Sequence, residues 1–349
     1  MTLSTDPNRR IRVGIAGLGG FGSLHVGVLT QFEGADLVAV CDPNEQRLAE
    51  IADQYQVPHR FVSYEDLLDS RQIEALFLVT PEHLHAEMVF KALDAGIHTF
   101  VEKPFATNVD DAIRMRDRAT ETGLRLQVGH VLRFEAQHAM LRDQIASGAI
   151  GRPLSIRAKR NTPASWMAVN GLRAHVAIEN LVHDVDQVLW NLPGQRCEKV
   201  YAAERYITGQ KFPDFIQAML QFSEGTIVTL ETGWTVPDGA PANIVSDNWG
   251  GHIDSSLDIV GTHSTAELRV FRAGLTIWDN TTTQVPNSTL WPLVHGQIGG
   301  ALRDQDMHFL RTIRSDEPSS LASLDDAIHG IEILTAVIAS ASAGAEITL

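Results

Sequence analysis

The sequence predicts an α/β chain of two domains: a doubly wound parallel sheet, then a second domain built on antiparallel strands. Two observations carry this. In the first third, short and almost wholly apolar runs alternate with longer amphipathic stretches, the pattern of parallel strands covered on both faces by crossover helices. After about residue 130 the runs follow one another across Gly, Pro, Asn or Asp turns, mostly too close together for a crossover helix, which implies antiparallel neighbours. A length of 349 residues agrees with two domains.

In order, the expected strands of the first part are Ile11–Ala16, Leu37–Val40, Ala75–Val79, Thr99–Val101 and Leu124–Val128. Between them, Pro43–Tyr55 places Leu48, Ile51 and Ala52 on one side, and His83–Ala95 does the same with Met88, Ala92 and Leu93. Asn108–Thr122 opens on a capping residue and closes at Gly123. In the second part Leu154–Arg160, Lys199–Ile207, Ile216–Phe222, Thr226–Glu231, Leu257–Val260 and Ala266–Phe271 read as strands. Glu135–Ser147, Ala177–Trp190, Ala301–Arg314 and Leu324–Ala343 read as helices, and Thr235–Ser256 as a long loop near a site or an interface. The expected division is 1–129 and 130–349.

Composition narrows the function. Lys and Arg number 28 against 43 Asp and Glu, a formal net charge of −15. So acidic a chain argues against nucleic acid or an anionic membrane as partner, since both demand excess positive charge. Cys41 and Cys197 make neither a disulfide framework nor a zinc motif. The polar N-terminus lacks the apolar core of a signal peptide, and no run approaches the roughly 18 apolar residues of a membrane helix. A cytoplasmic protein is expected.

Gly17-Leu18-Gly19-Gly20-Phe21-Gly22 follows the first strand and opens a helix. In such a loop the first glycine permits the tight turn, the second lets backbone approach a pyrophosphate, and the third allows close helix–strand packing. Amides at the helix start then point at the phosphates. Asp42 comes twenty residues after Gly22, at the end of the second strand. A carboxylate there accepts hydrogen bonds from ribose hydroxyls and repels a 2′-phosphate, so NAD is expected over NADP.

Ligands of an open α/β sheet sit beyond the carboxyl ends of its strands. Thr80 and His85 follow the third predicted strand, and Glu102 and Lys103 end the fourth, which makes all four candidates for the cofactor site. Lys103 is held between a strand end and Pro104. A second constellation is Glu179, Asn180, His183 and Asp186. On a helix, residues 179, 183, 186 and 190 fall within about 60° of one another, opposite an apolar stripe of Ile178, Val182, Val185, Val188 and Leu189. Glu and His four apart can ligate a metal, but no third ligand is evident, and no metal is expected. His130 and Arg133 follow the fifth strand, and Arg157, Lys159, Arg160 and Trp166 the next, a basic cluster in an acidic chain with substrate contact or charge pairing as its two uses. Trp291 to Gly296 reads as a lid or a subunit contact.

These motifs together resemble the Gfo/Idh/MocA family, the glucose–fructose oxidoreductase and inositol dehydrogenase group. The matching pieces are G-L-G-G-F-G at 17–22, C-D-P at 41–43, T-P-E-H-L-H-A-E at 80–87, A-G-I-H-T-F-V-E-K-P at 95–104, V-H-D-V-D-Q-V-L-W at 182–190 and A-L-R-D-Q-D-M-H-F-L at 301–310. The resemblance implies a Rossmann domain joined to an α+β domain with a large, mainly antiparallel open sheet. One face of that sheet commonly serves as substrate floor and the other as oligomer contact, so a homodimer or homotetramer is expected. It also implies NAD as cofactor and a small carbohydrate or polyol as substrate, with Trp166 near the nicotinamide.

On this reading Lys103 and His183 flank a substrate hydroxyl. His183 takes its proton, Lys103 hydrogen-bonds the developing carbonyl oxygen, and Glu179 or Asp186 holds the imidazole; the opposite proton assignment stays open. His130, Arg133, Arg160 and Asn180 are the further substrate-binding candidates. Family members often carry aspartate four residues before the histidine, where this chain has Glu179, so its substrate need not be inositol. Two alternatives stand beside a dehydrogenase: a hydrolase that retains NAD and cleaves glycosides, and a non-catalytic nucleotide sensor.

Overall fold

The computed structural model describes residues 9–245, 250–270, 275–278, 283–319 and 321–349. The chain divides into two compact units, residues up to 134 with 289–328, and 135–288 with 329–349.

The first unit contains six parallel strands: β1 (Ile11–Ala16), β2 (Ala35–Cys41), β3 (His59–Phe61), β4 (Ala75–Leu78), β5 (His98–Glu102) and β6 (Leu126–Gly129). They lie in the order β3-β2-β1-β4-β5-β6. The chain therefore winds outward from β1 in one direction and then, from β4, in the other, and the carboxyl ends of β1 and β4 mark the switch point where such sheets hold ligands. Intervening helices are α1 (Gly20–Gln31), α2 (Glu45–Gln54), α3 (Tyr64–Asp69), α4 (His85–Asp94) and α5 (Val109–Thr122). The last begins with Asn108 accepting the Asp111 amide at 2.8 Å and ends at Gly123 with φ +68°, the left-handed conformation that favours glycine.

Two elements here have no apolar signature. β3 is three largely exposed residues, His59 to Phe61. α3 is one short turn and a half, started by Ser63 accepting the Asp66 amide, a Ser-x-x-Asp cue that sequence inspection can use. A larger difference concerns 289–328. The sequence places this stretch in a second domain from 130 onward, whereas it packs into the first unit. The reason is apolar: Phe309, Leu310 and Ile313 of the helix Gly300–Ser315 complete a core with Ile15, Phe77 and Phe100, with the Phe77 and Phe309 rings 5.4 Å apart, edge to face.

The second unit is built on seven strands in the order Thr265–Val270, Asp254–Gly261, Pro153–Pro163, Ile227–Val236, Phe215–Phe222, Cys197–Arg205 and Ile347–Thr348. All neighbours are antiparallel except one pair: Pro153–Pro163 and Ile227–Val236 run parallel, with Ala158 opposite Leu230. Residues alternate cleanly, Ile216, Ala218, Leu220 and Phe222 inward and Gln217, Met219 and Gln221 outward. Against the inner face pack Val185, Val188 and Leu189, together with Ile333, Leu334 and Val337 of the helix Leu324–Ala343. That helix is long and apolar enough to cross a membrane by length and composition, but half of its apolar window is buried in the protein. The expected loop Thr235–Ser256 is shorter than anticipated. Strands enter it from both sides and Ile244–Val245 pairs with Gly250–Gly251; residues 246–249 lie outside the described residues, as does Phe271.

Candidate active site

The glycine loop behaves as its spacing requires. Gly17 has φ +93°, and a Cβ there would collide with the Val79 carbonyl. A Cβ on Gly22 would strike the Gly17 carbonyl oxygen, so the loop closes on itself. A Cβ on Gly19 meets nothing within 4 Å, leaving open space over the backbone at the one position where a pyrophosphate must approach. Gly19 is also the N-cap of α1 and supplies no capping side chain, so amides of the first turn remain for an anion. Gly20 and Phe21 begin that helix, and the Phe21 ring packs edge-on against Trp291, centroids 5.6 Å apart.

Asp42 holds this loop. Its carboxylate accepts the Leu18 amide at 2.8 Å through one oxygen and the Asn44 amide at 2.8 Å through the other. Each oxygen keeps a further lone pair for a ribose hydroxyl. Arg47 closes the same turn by donating from Nε to the Leu18 carbonyl at 2.7 Å. The residues therefore fit NAD.

Lys103 leaves the end of β5, next to a cis peptide bond to Pro104. Its amide donates to Glu102 Oε2 at 3.0 Å. Thr80 and His85 lie across the switch point, but His85 points inward: it is fully buried, with Nδ1 at 2.8 Å from the Pro104 carbonyl and Nε2 at 2.9 Å from that of Thr80. Its ring joins the Thr80 turn to the Lys103 turn, and burial lowers its pKa against the pull of the two carbonyls.

Glu102 is also buried, and sequence reasoning missed its partner. His25 of α1, with no exposed surface, has Nε2 at 3.3 Å from Glu102 Oε1 and Nδ1 at 2.9 Å from Oδ2 of Asp306 in the helix Gly300–Ser315. Burial alone would depress the imidazole pKa. The attraction of Asp306 and hydrogen bonds to both carboxylates outweigh it and raise it to about 10. The native state thus holds a proton that the unfolded chain, near 6.5, releases. This stabilisation is complete below pH 6.5 and is lost as pH rises through about 10. The thermal midpoint should fall between pH 7 and pH 10 in calorimetry, and His25→Gln should flatten that slope.

In the second unit the expected single helix has two parts. Ala177–Leu181 forms a wide π-type turn and Val182–Asn191 is α-helical, a break that occurs at functional positions. Glu179 lies in the π-turn, its carboxylate accepting from Arg173 at 3.1 Å. His183 follows half-buried in the first α-turn, and Asn180 is buried with its amide donating to Thr162 Oγ1 at 3.3 Å. On the face formed by residues 179, 183, 186 and 190, Asp186 is buried and Glu179, His183 and Trp190 are half-buried. Trp166 stands on the short helical turn after the long strand and donates from its indole nitrogen to the Gly250 carbonyl at 3.2 Å.

Comparison with known proteins agrees with this geometry. Residues 11–130 match the model of an oxidoreductase family with an NAD-binding Rossmann fold, and 138–267 match the C-terminal domain of the same group. The chain belongs to the Gfo/Idh/MocA family. It is an NAD-dependent oxidoreductase. Among curated relatives, it is 25% identical to myo-inositol 2-dehydrogenase of Thermotoga maritima over 63% of this chain and 68% of that one. It is 28% identical to the NAD(+)-linked scyllo-inositol 2-dehydrogenase of Bacillus subtilis over 66% and 69%, and 31% identical to inositol 2-dehydrogenase of Rubrobacter xylanophilus over 56% and 55%. These matches therefore span from about half to about two thirds of the relatives. The fold is similar throughout to scyllo-inositol dehydrogenase from Lactobacillus casei solved with NAD(H) and scyllo-inositol, with TM-score 0.82 and 20% identity over 97% of this chain and 99% of that one.

Within this Gfo/Idh/MocA chain, two of the substrate-binding candidates are paired with buried or half-buried acids of the protein itself. Arg133 has a side chain 1% exposed, donating to Asp326 at 3.0 Å and to the Leu321 carbonyl. Arg160 donates through Nε and a terminal nitrogen to the two oxygens of Asp184 at 2.9 and 3.2 Å, both side chains buried. Lys159 pairs with Asp254 at 2.6 Å. Arg133, Lys159 and Arg160 are thus each paired within their own unit. His130 is buried as well. Trp291 belongs to the first unit, where Leu293–Val294 and Gln297–Ile298 form a small hairpin and the Ile298 amide donates to Gln31 of α1. No signal in the sequence distinguished these arrangements, because each partner is remote along the chain.

Asp42 also yields a prediction. Asp42→Ala should raise KM for NAD by about tenfold, the value of a charge-assisted hydrogen bond, and should narrow the preference over NADP. Steady-state kinetics with both cofactors checks it.

Proposed function

We propose that this oxidoreductase is a dehydrogenase that oxidises a secondary hydroxyl of a cyclitol, sugar or sugar derivative. What supports the reading is that the Lys103 turn and the glycine loop occupy the carboxyl ends of neighbouring parts of one parallel sheet, β1-β4-β5, as a hydroxyl-polarising group and a cofactor loop must. The names of the inositol dehydrogenase relatives agree with it.

Bound NAD supplies the nicotinamide that accepts the hydride. Lys103 donates a hydrogen bond to the substrate oxygen and stabilises it as the carbonyl forms. His183 accepts the hydroxyl proton, a role open to an imidazole near neutral pH. Glu179, held by Arg173, and the buried Asp186 are the acids assigned to orient it. The longer Glu179 in place of aspartate moves the substrate's seat by about one methylene. The enzyme works as a homodimer or homotetramer in the cytoplasm. Supporting the assembly, Tyr201, Met219 and Ile227 lie on the outer face of the second sheet, about half exposed each.

A spectrophotometric screen of NAD reduction across cyclitols, aldoses, sugar acids and glycosides tests the proposal. NADH should accumulate with a cyclitol or simple sugar. Sugar release from a glycoside without net NADH overturns it, as does the absence of turnover with every class.

A further inference from the structure

The strongest unassigned feature is the buried Asp306–His25–Glu102 row. It joins three elements of the first unit. Asp306 comes from the helix Gly300–Ser315, His25 from the helix that opens at the glycine loop, and Glu102 from the strand end that carries Lys103. His25 sits at hydrogen-bond range from a carboxylate on each side. Glu102 then uses its other oxygen to accept the Lys103 amide at 3.0 Å.

Nothing about apolar packing requires charge here. Phe21, Phe77 and Phe100 surround the imidazole, their ring centroids 5.3, 5.7 and 5.4 Å away, so desolvating three ionisable groups among aromatic rings carries a cost that a hydrocarbon would avoid. Space is reserved for the arrangement: a Cβ on Gly129 would collide with Glu102 Oε1. A row built at such cost, ending on the backbone of the residue assigned to the substrate oxygen, has the form of a support that fixes an active group through hydrogen bonds behind it.

We infer that Asp306, His25 and Glu102 are positioning residues, a clamp that fixes the Lys103 turn relative to the glycine loop. The inference rests on the reading of Lys103 as the group that touches substrate. The clamp acts through orientation and not through proton transfer to substrate. His25 is held as imidazolium by its two acids. With one acid neutralised, it titrates nearer neutrality and the clamp loosens as pH rises.

The test uses the full-length protein with Asp306→Asn, which is nearly isosteric, and Glu102→Gln in case the first variant does not fold. NAD affinity, steady-state turnover and the rate of Lys103 acetylation by acetic anhydride, read by mass spectrometry, are measured from pH 6.5 to 9.5. Expected for Asp306→Asn are NAD affinity within threefold of wild type, kcat at least tenfold lower with KM little changed, and a new alkaline fall in kcat absent from wild type. The Lys103 acetylation rate should change at least threefold. An acetylation rate and kcat within twofold of wild type across the range overturn the clamp. Lys103→Met is run beside it. Normal turnover in that variant removes the substrate role of Lys103, and the acetylation rate, which needs no turnover, still decides whether the clamp holds the turn.

Discussion

Arg160→Met is expected to destabilise the protein by about 3–5 kcal/mol, the range for removing one partner of a buried ion pair. The mechanism is local. Arg160 and Asp184 are both buried, and their two hydrogen bonds tie the helix Val182–Asn191 to the long strand Pro153–Pro163. Burial already pushes the Asp184 carboxyl up, opposed by the guanidinium, so without Arg160 the acid must be buried charged and alone or take up a proton. The double variant Arg160→Met with Asp184→Leu should recover most of the loss, because replacing a whole buried pair by apolar groups is close to neutral. Denaturant unfolding of both variants measures this. A single variant that keeps its stability while KM rises would return Arg160 to the substrate contacts.

Lys103→Ala and His183→Ala should each lower kcat by at least 100-fold, about 2.7 kcal/mol of transition-state stabilisation, the smallest loss expected of an acid–base or oxyanion group. NAD affinity should stay within a few fold in both, since Asp42 and the glycine loop hold the cofactor. Steady-state kinetics with the substrate found in the screen, alongside NAD titration, separates the two quantities. Near-normal turnover in both variants ends the assignment. A loss in Lys103→Ala alone makes lysine the proton acceptor.

Much of this was legible along the chain, and the reason is locality. The apolar run Ala75–Leu78, and Ile11–Ala16 interrupted only by the exposed Arg12, announced buried parallel strands because both faces are covered along nearly their whole length. Asn108 and Gly123 bounded their helix because capping is settled within a few residues. Gly17, Gly19 and Gly22 announced the cofactor loop because their spacing between a strand and a helix is fixed within one turn: Gly22 closes on the Gly17 carbonyl, and Gly19 leaves the space above the backbone open. β3 and α3 went unread because three exposed residues and one short helical turn bury too little to impose a period.

Where partners lie far apart in sequence, only the tertiary structure decided. Nothing near His25 announces Asp306, 281 residues away. Nothing in the sequence around Arg133 or Arg160 names Asp326 or Asp184 as the acids that pair with them. The return of 289–328 to the first unit depends on Phe309 meeting Phe77 and Phe100. Local chemistry thus determined the class of protein and its cofactor loop. Packing determined which charges are neutralised in the interior and which turn is clamped, because the energy of a buried charge depends on neighbours that chain order does not reveal.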